Sequence, residues 1–365
     1  MKRLSCEKRL RWIRLSKERE RRNLASVRKK AGKSRRSSRI VAPQSVSYRK
    51  GKTVRKIKKR IEVPSNLCLR TNYDEIVNFV IHLRKEVAID SHAIFVDFSK
   101  LQNVMPDAAL LLAAELDRWR RLRGVRLKVR KINKWHHEAR SVLQKLGLFE
   151  LLEVSNVPQS DDIVGQLKII KFSANNTTDG RAAKLLRTSL EKVSGFNIVM
   201  SNLLYGGITE AMANVTQHAY PEEDDAQQTL KYWWLTGAYD ISSDHLSVFM
   251  LDQGIGIPAT LPNKYPMELL NHFLSKLGRE RDDGSLIEAA LAIGRTKTDK
   301  KYRGRGLENI MKFIKNNPRG ELRILSRYGE YVFSSETNKS CISNHSIAFP
   351  GTLIHWQINL KSATI

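Results

Sequence analysis

Val248-Phe249-Met250-Leu251-Asp252-Gln253-Gly254-Ile255-Gly256-Ile257 is the stretch on which the reading of this chain turns. Four consecutive apolar residues describe a buried strand, and an acid followed by two spaced glycines describes a turn at that strand's carboxyl end. An acid so placed can accept a hydrogen bond from an exocyclic amine. The glycines let the backbone come close to a planar base and turn away sharply. A lone D-x-G-x-G is more often a plain β-turn, so its weight depends on what surrounds it.

Upstream, Leu204, Ile208, Ala211, Met212, Val215 and Ala219 follow a helical period and predict a helix from about Asn197 to Ala219 with one buried stripe. Glu210, Asn214 and His218 recur every fourth residue of it and so share a face, each offset from the last by about 40°. Asn214 offers an oxygen to a hard Mg²⁺ ion, and Glu210 can orient a water or a hydroxyl. Downstream, Arg303-Gly304-Arg305-Gly306-Leu307-Glu308-Asn309-Ile310 opens a further helix, whose apolar stripe continues through Met311 and Ile314. Glycines at a helix opening leave free N–H groups able to approach phosphate oxygens. Lys297 and Lys301 add nearby cations. Residues 258–303 between the two glycine clusters, with Gly278, Gly284 and Gly294 as hinges, are expected to form a lid. Short strands are expected at Glu321–Leu325, Tyr331–Ser334 and Thr352–Ile358.

Each cluster is ordinary alone, and their shared order and context carry the weight. Together they resemble the GHKL (Bergerat-type) ATP-binding domain. The string Glu210-Ala211-Met212-Ala213-Asn214-Val215-Thr216-Gln217-His218-Ala219-Tyr220 looks closely like the N-box of the anti-sigma-factor serine kinases. The resemblance covers residues 163–365 and implies an α/β sandwich with a mixed sheet, binding ATP and Mg²⁺. It gives Asn214 the metal, Glu210 the role of general base, and Asp252 the adenine amino group. Gly254 and Gly256 supply backbone contacts, and Gly304 and Gly306 approach the phosphates. Phe349-Pro350-Gly351-Thr352 resembles the Gly-Thr signature of that family, which assigns Thr352 to the support of Asp252. Three readings remain open: a protein serine kinase, an ATPase, and a non-catalytic ATP-responsive switch.

Residues 61–160 read as a small α/β unit. His92–Phe98 and Val125–Val129 are its expected strands, Pro106–Arg121 and His136–Leu146 its helices, with neighbouring parallel strands. Asp97-Phe98-Ser99-Lys100-Leu101 with the following helix resembles the STAS domains of anti-sigma-factor antagonists. Where that family carries a phosphorylated serine, this chain has Pro106 and Asp107, an acid suited to a helix's first turn. Trp135-His136-His137-Glu138 reads as surface, since adjacent histidines point apart on a helix.

Residues 1–60 are different in kind. They hold 25 Lys and Arg against Glu7, Glu18 and Glu20, a net +22 out of the chain's formal +27, which leaves +5 for the other 305 residues. The sequence pI of about 10.1 therefore belongs to a basic, disordered arm, which serves as a solubilising tail or as a sequence-independent contact to nucleic acid. Cys6, Cys68 and Cys341 lie far apart and suggest neither a zinc site nor a disulfide framework. No apolar run approaches the roughly 20 residues of a membrane span. The expectation is a cytoplasmic regulatory protein with a protein partner or a second copy of itself, and no membrane contact.

Overall fold

The computed structural model describes residues 46–49, 52–55, 57–87, 92–123, 132–154, 166–195, 198–220, 231–296 and 306–360. Most of the basic arm, the strand expected at Val125–Val129, and Lys297, Lys301, Arg303, Gly304 and Arg305 lie outside the described residues. No helix among the described residues is long and apolar enough to cross a membrane.

The chain's first described elements are β1 (Val46–Arg49) and β2 (Lys52–Arg55), an antiparallel hairpin, so the arm expected to be disordered through residue 60 carries strand from Val46 onward. Then β3 (Ile57–Glu62) and β4 (Asn66–Leu67) precede α1 (Tyr73–Val87), a helix with Asp74 and Glu75 in its first turn and Arg84 and Lys85 in its last, as the helix dipole favours. Parallel pairing joins β3 to β5 (His92–Asp97) and β4 to β6 (Asn103–Val104), so α1 is the crossover of a β-α-β unit. After α2 (Pro106–Arg123) come α3 (His137–Leu146) and the short α4 (Leu148–Leu151), separated by Gly147 in a left-handed conformation. His136, His137 and Glu138 are exposed as expected, but Trp135 is not. It is buried and stacks on Phe98, with ring centroids 4.4 Å apart, because the turn before α3 points its indole inward.

Five strands follow: β7 (Leu167–Asn175), β8 (Trp233–Asp240), β9 (His245–Asp252), β10 (Gly320–Ser334) and β11 (Lys339–Asn359). They form one sheet in the order β10-β11-β9-β8-β7, and every neighbouring pair is antiparallel. This corrects the expected mixed sheet. β9 and β10 do run in the same direction, but β11 lies between them and is antiparallel to both. The strands expected at 321–325 and 331–334 are one strand, bent where the register with β11 shifts around Arg327.

Both faces of the sheet are buried, which explains its continuous apolar runs. Successive side chains of a strand point to opposite faces, and here Trp233, Val248 and Met250 belong to one apolar cluster while Trp234, Phe249 and Leu251 belong to another. The first cluster is shared with α5 (Gly180–Ser194), α6 (Ile198–Asn214) and α10 (Gly306–Lys315). The second is shared with α1, α2 and α3, so the N-terminal unit forms a layer over the face that an antiparallel sheet commonly leaves to water. α5 starts at Asp179, whose carboxylate accepts from the N–H groups of Arg181 (2.9 Å) and Ala182 (3.2 Å), and ends at Gly195. Between the glycine clusters lie α7 (Ile257–Lys264), α8 (Met267–Lys276) and α9 (Asp283–Thr296), three helices around a small core of Leu261, Leu270, Leu274, Leu286 and Ile293.

Candidate functional site

The pairing register lines up one row of residues across all five strands: Asn175, Trp233, Asp252, Thr352 and Ser326. Asp252 and Thr352 are direct cross-strand partners, both buried. One carboxylate oxygen of Asp252 accepts from the Gly254 N–H at 2.8 Å, and the Thr352 hydroxyl donates to the same carboxyl. Thr352 is backed in turn by Ser326, whose Oγ lies 3.1 Å from Thr352 Oγ1 and accepts from the Ile257 N–H at 2.9 Å. The Gly254 bond alone is what any Asx turn makes. Burial is what goes beyond a turn. A carboxylate can accept about four hydrogen bonds, and this one is taken out of water with two donors, so burial pushes its pKa up to about 7 despite Gly254 and Thr352.

The predicted helix joins this row at its carboxyl end. Its α-helical part stops at Asn214, and Val215–Ala219 continues as a π-helical turn, a widening often found at functional sites. The Ala219 carbonyl accepts from the Ile255 N–H at 2.9 Å, which ties the helix to the glycine loop. Gly254 permits that approach, because a Cβ there would collide with the Ala219 carbonyl oxygen. Gly256 holds φ at 88°, a conformation that disfavours any side chain. Tyr220 closes the joint: its hydroxyl accepts from the Gln253 N–H (3.1 Å) and donates to the Tyr232 carbonyl (3.0 Å). Burial, reinforced by the nearby Asp252, raises the Tyr220 pKa and keeps the phenol protonated.

Asn214 and Glu210 stand about one and two turns before this joint, half-buried, and neither side chain bonds another described residue. Gly306 is the first residue of α10, and α10 packs closely on α6, since Cβ atoms at Gly206 and Gly207 would meet the side chains of Asn309 and Ile310 at 3.1 and 3.0 Å. The structure therefore brings Asp252, Gly254 and Thr352 into direct contact and sets Gly256 against Ser326, which backs Thr352. Glu210 and Asn214 lie on the helix that ends at this joint and Gly306 at the start of the helix packed on it, while Gly304 lies outside the described residues.

The Asp252 carboxyl can accept more hydrogen bonds than the two it receives, so a donor such as an N–H₂ group is the kind of ligand atom its chemistry suits. Among the described residues no group of three or more His, Cys, Asp or Glu side chains is arranged to hold a metal. Asn214 offers one oxygen, which suits Mg²⁺ when substrate phosphates provide the other ligands. An open cleft of about 700 Å³ lies at the β7 end of the same row, lined by Asn175, Thr178, Arg181, Lys184 and Tyr205, and includes none of the predicted site residues.

The sequence pattern missed Ser326, the side chain of Gln253, and Glu115. Gln253 Nε2 donates to Glu115 Oε2 at 3.0 Å, across the boundary between the sheet and the N-terminal layer. Burial would raise the Glu115 pKa, but the guanidinium groups of Arg84 and Arg118 hold it below the ordinary range. No local spacing announces a contact between residues 138 positions apart. Asp107, singled out from the resemblance, is buried against Arg323 of β10, with 3.8 Å between Oδ2 and Nη1, and its Oδ1 accepts from the Ala108 N–H at 2.7 Å. Arg323 also pairs with Glu330 at 2.5 Å, and Glu330 meets His345 at 2.8 Å. No family model matches the chain, and no curated protein matches it either.

Proposed function

We propose that residues 163–365 bind ATP with Mg²⁺ in the manner of a GHKL domain, and that the chain is a regulatory protein whose nucleotide-binding unit acts on a protein partner. The buried, under-donated carboxyl of Asp252 carries this reading. Asp252 takes the adenine amino group, supported by Thr352 and Ser326, while Gly254 and Gly256 let the backbone lie close to the base. Asn214 contributes an oxygen to the metal. Gly306 opens a helix whose free N–H groups would approach phosphate, and Gly304, two residues earlier in the sequence, is assigned to the same contact by the resemblance. Bound ATP would supply the phosphoryl group and Mg²⁺ would neutralise charge on it. Glu210 is then the residue to take a proton from a partner serine hydroxyl or from water.

A second reading keeps the nucleotide and drops the chemistry: a non-catalytic switch, tethered to nucleic acid or another anionic surface by residues 1–60. The contact between the Asp252 loop and the N-terminal layer favours it, because that contact gives bound nucleotide a route to the rest of the chain.

A thermal-shift titration with ATP and Mg²⁺ tests the shared core of both. At 100 times its dissociation constant a ligand adds about 2.7 kcal/mol of stability, and the shift should vanish in Asp252→Asn. An unmoved parent, or an equal shift in the variant, would overturn nucleotide binding. Glu210→Ala separates the readings: turnover lost with binding retained marks an enzyme, and a parent without turnover marks the switch.

A further inference from the structure

The Asp252 site is gripped from behind by one buried ion pair of the N-terminal layer. Glu115 of α2 is fully buried, and Arg84 of α1 meets it with Nε at 3.0 and 2.8 Å and Nη2 at 2.7 Å. Trp119 Nε1 adds a bond at 3.2 Å. Each partner then reaches once into the sheet. Glu115 accepts from the side chain of Gln253, the residue directly after Asp252. Arg84 Nη2 reaches the carbonyl of Pro350 at 3.5 Å, two residues before Thr352. The two outward contacts of one ion pair thus land on the two segments that supply the carboxyl and its supporting hydroxyl.

Packing alone does not account for this arrangement. A buried ion pair contributes little net stability against well-packed apolar residues of similar volume, because desolvation offsets most of the Coulomb attraction. What the pair adds is direction. Gln253 holds the loop at two points, backbone N–H to Tyr220 and side-chain amide to Glu115, and its Oε1 is buried without a partner. The Glu115 bond therefore fixes that amide in one orientation.

We propose that Arg84 and Glu115 are positioning residues for the Asp252 site, acting through Gln253 and Pro350, so that nucleotide affinity and the order of the N-terminal layer are coupled. The inference rests on the nucleotide reading above. Coupling of this kind is reciprocal: if the layer sets the loop, an occupied loop must tighten the layer.

Hydrogen exchange of the full chain, with and without saturating ATP and Mg²⁺, tests it alongside the thermal shift. Nucleotide should slow exchange in residues 73–87 and 106–123. Gln253→Met removes one bond and leaves the Arg84–Glu115 pair intact. It should weaken ATP binding about tenfold, as loss of a hydrogen bond to a charged group does, and abolish the exchange response even at saturation. The wild-type exchange measurement stands without the variant, should the variant fail to fold. A thermal shift with unchanged exchange in both helices would overturn the coupling and leave nucleotide binding intact, as would a Gln253→Met protein that binds and responds like the parent. No thermal shift in the parent would overturn both.

Discussion

Asp252 ionises about three pH units later in the folded chain than a free aspartate does, with a folded pKa of about 7. The unfolded chain loses this proton near pH 4, so the stability the group contributes is fully present below that value and is lost as pH rises through 7. Asp252→Asn stays neutral throughout. It is expected to match the parent in urea unfolding at pH 4 and to exceed it by roughly 2–4 kcal/mol at pH 8. A bound amino group would favour the ionised carboxyl, so ATP affinity in the parent should rise between pH 6 and 8. Equal stabilities at both pH values would mean the carboxyl titrates normally and is not short of donors. At this scale the acid itself was legible, because D-x-G-x-G places it locally beside its turn. Ser326, Gln253 and Glu115 were not, since their contacts are set by strand register and layer packing rather than by neighbours in sequence.

The helix ending in Ala219 and the loop beginning at Gly254 behave as one element, joined by the Ala219–Ile255 bond and by Tyr220. Gly254→Ala tests that joint. The added methyl meets the Ala219 carbonyl and Cβ, both on backbone that a rotamer change does not move. A destabilisation of about 1–3 kcal/mol is expected in urea, typical of overpacking, together with loss of the ATP shift. A variant that keeps both would show that the loop can move off the helix freely. Periodicity predicted the helix here because its apolar stripe is local. It gave no sign of the π turn, which changes backbone hydrogen bonding without changing the stripe. Likewise two short strands are expected at Glu321–Leu325 and Tyr331–Ser334 where the chain has one, bent where its register with β11 shifts at Arg327.

In the whole molecule the sheet is a shared wall. Trp234, Phe249, Leu251, Leu325, Phe349 and Leu353 are buried in one apolar cluster with the side chains of the N-terminal layer. The mixed sheet expected for this region came from the family resemblance, and the apolar composition of the strands did nothing to contradict it. Continuous apolar strands usually mark parallel pairing buried on both sides, whereas here antiparallel strands acquire the same composition because a second unit covers their outer face. The consequence for stability is direct. Six large apolar side chains at about 1.5–3 kcal/mol each amount to on the order of 10 kcal/mol, similar to the whole stability of an ordinary domain. A chain beginning at residue 163 should therefore lose most of its cooperative unfolding, bind a hydrophobic dye and associate, even though it keeps every predicted nucleotide-site residue. Supplying residues 57–162 as a separate chain should restore a cooperative transition, since Arg84 and Glu115 would then meet Gln253 and Pro350 again. If the shorter chain instead unfolds as sharply as the full one and stays monomeric, the outer face is stable in water, and the N-terminal layer is an accessory to the sheet and not half of its core.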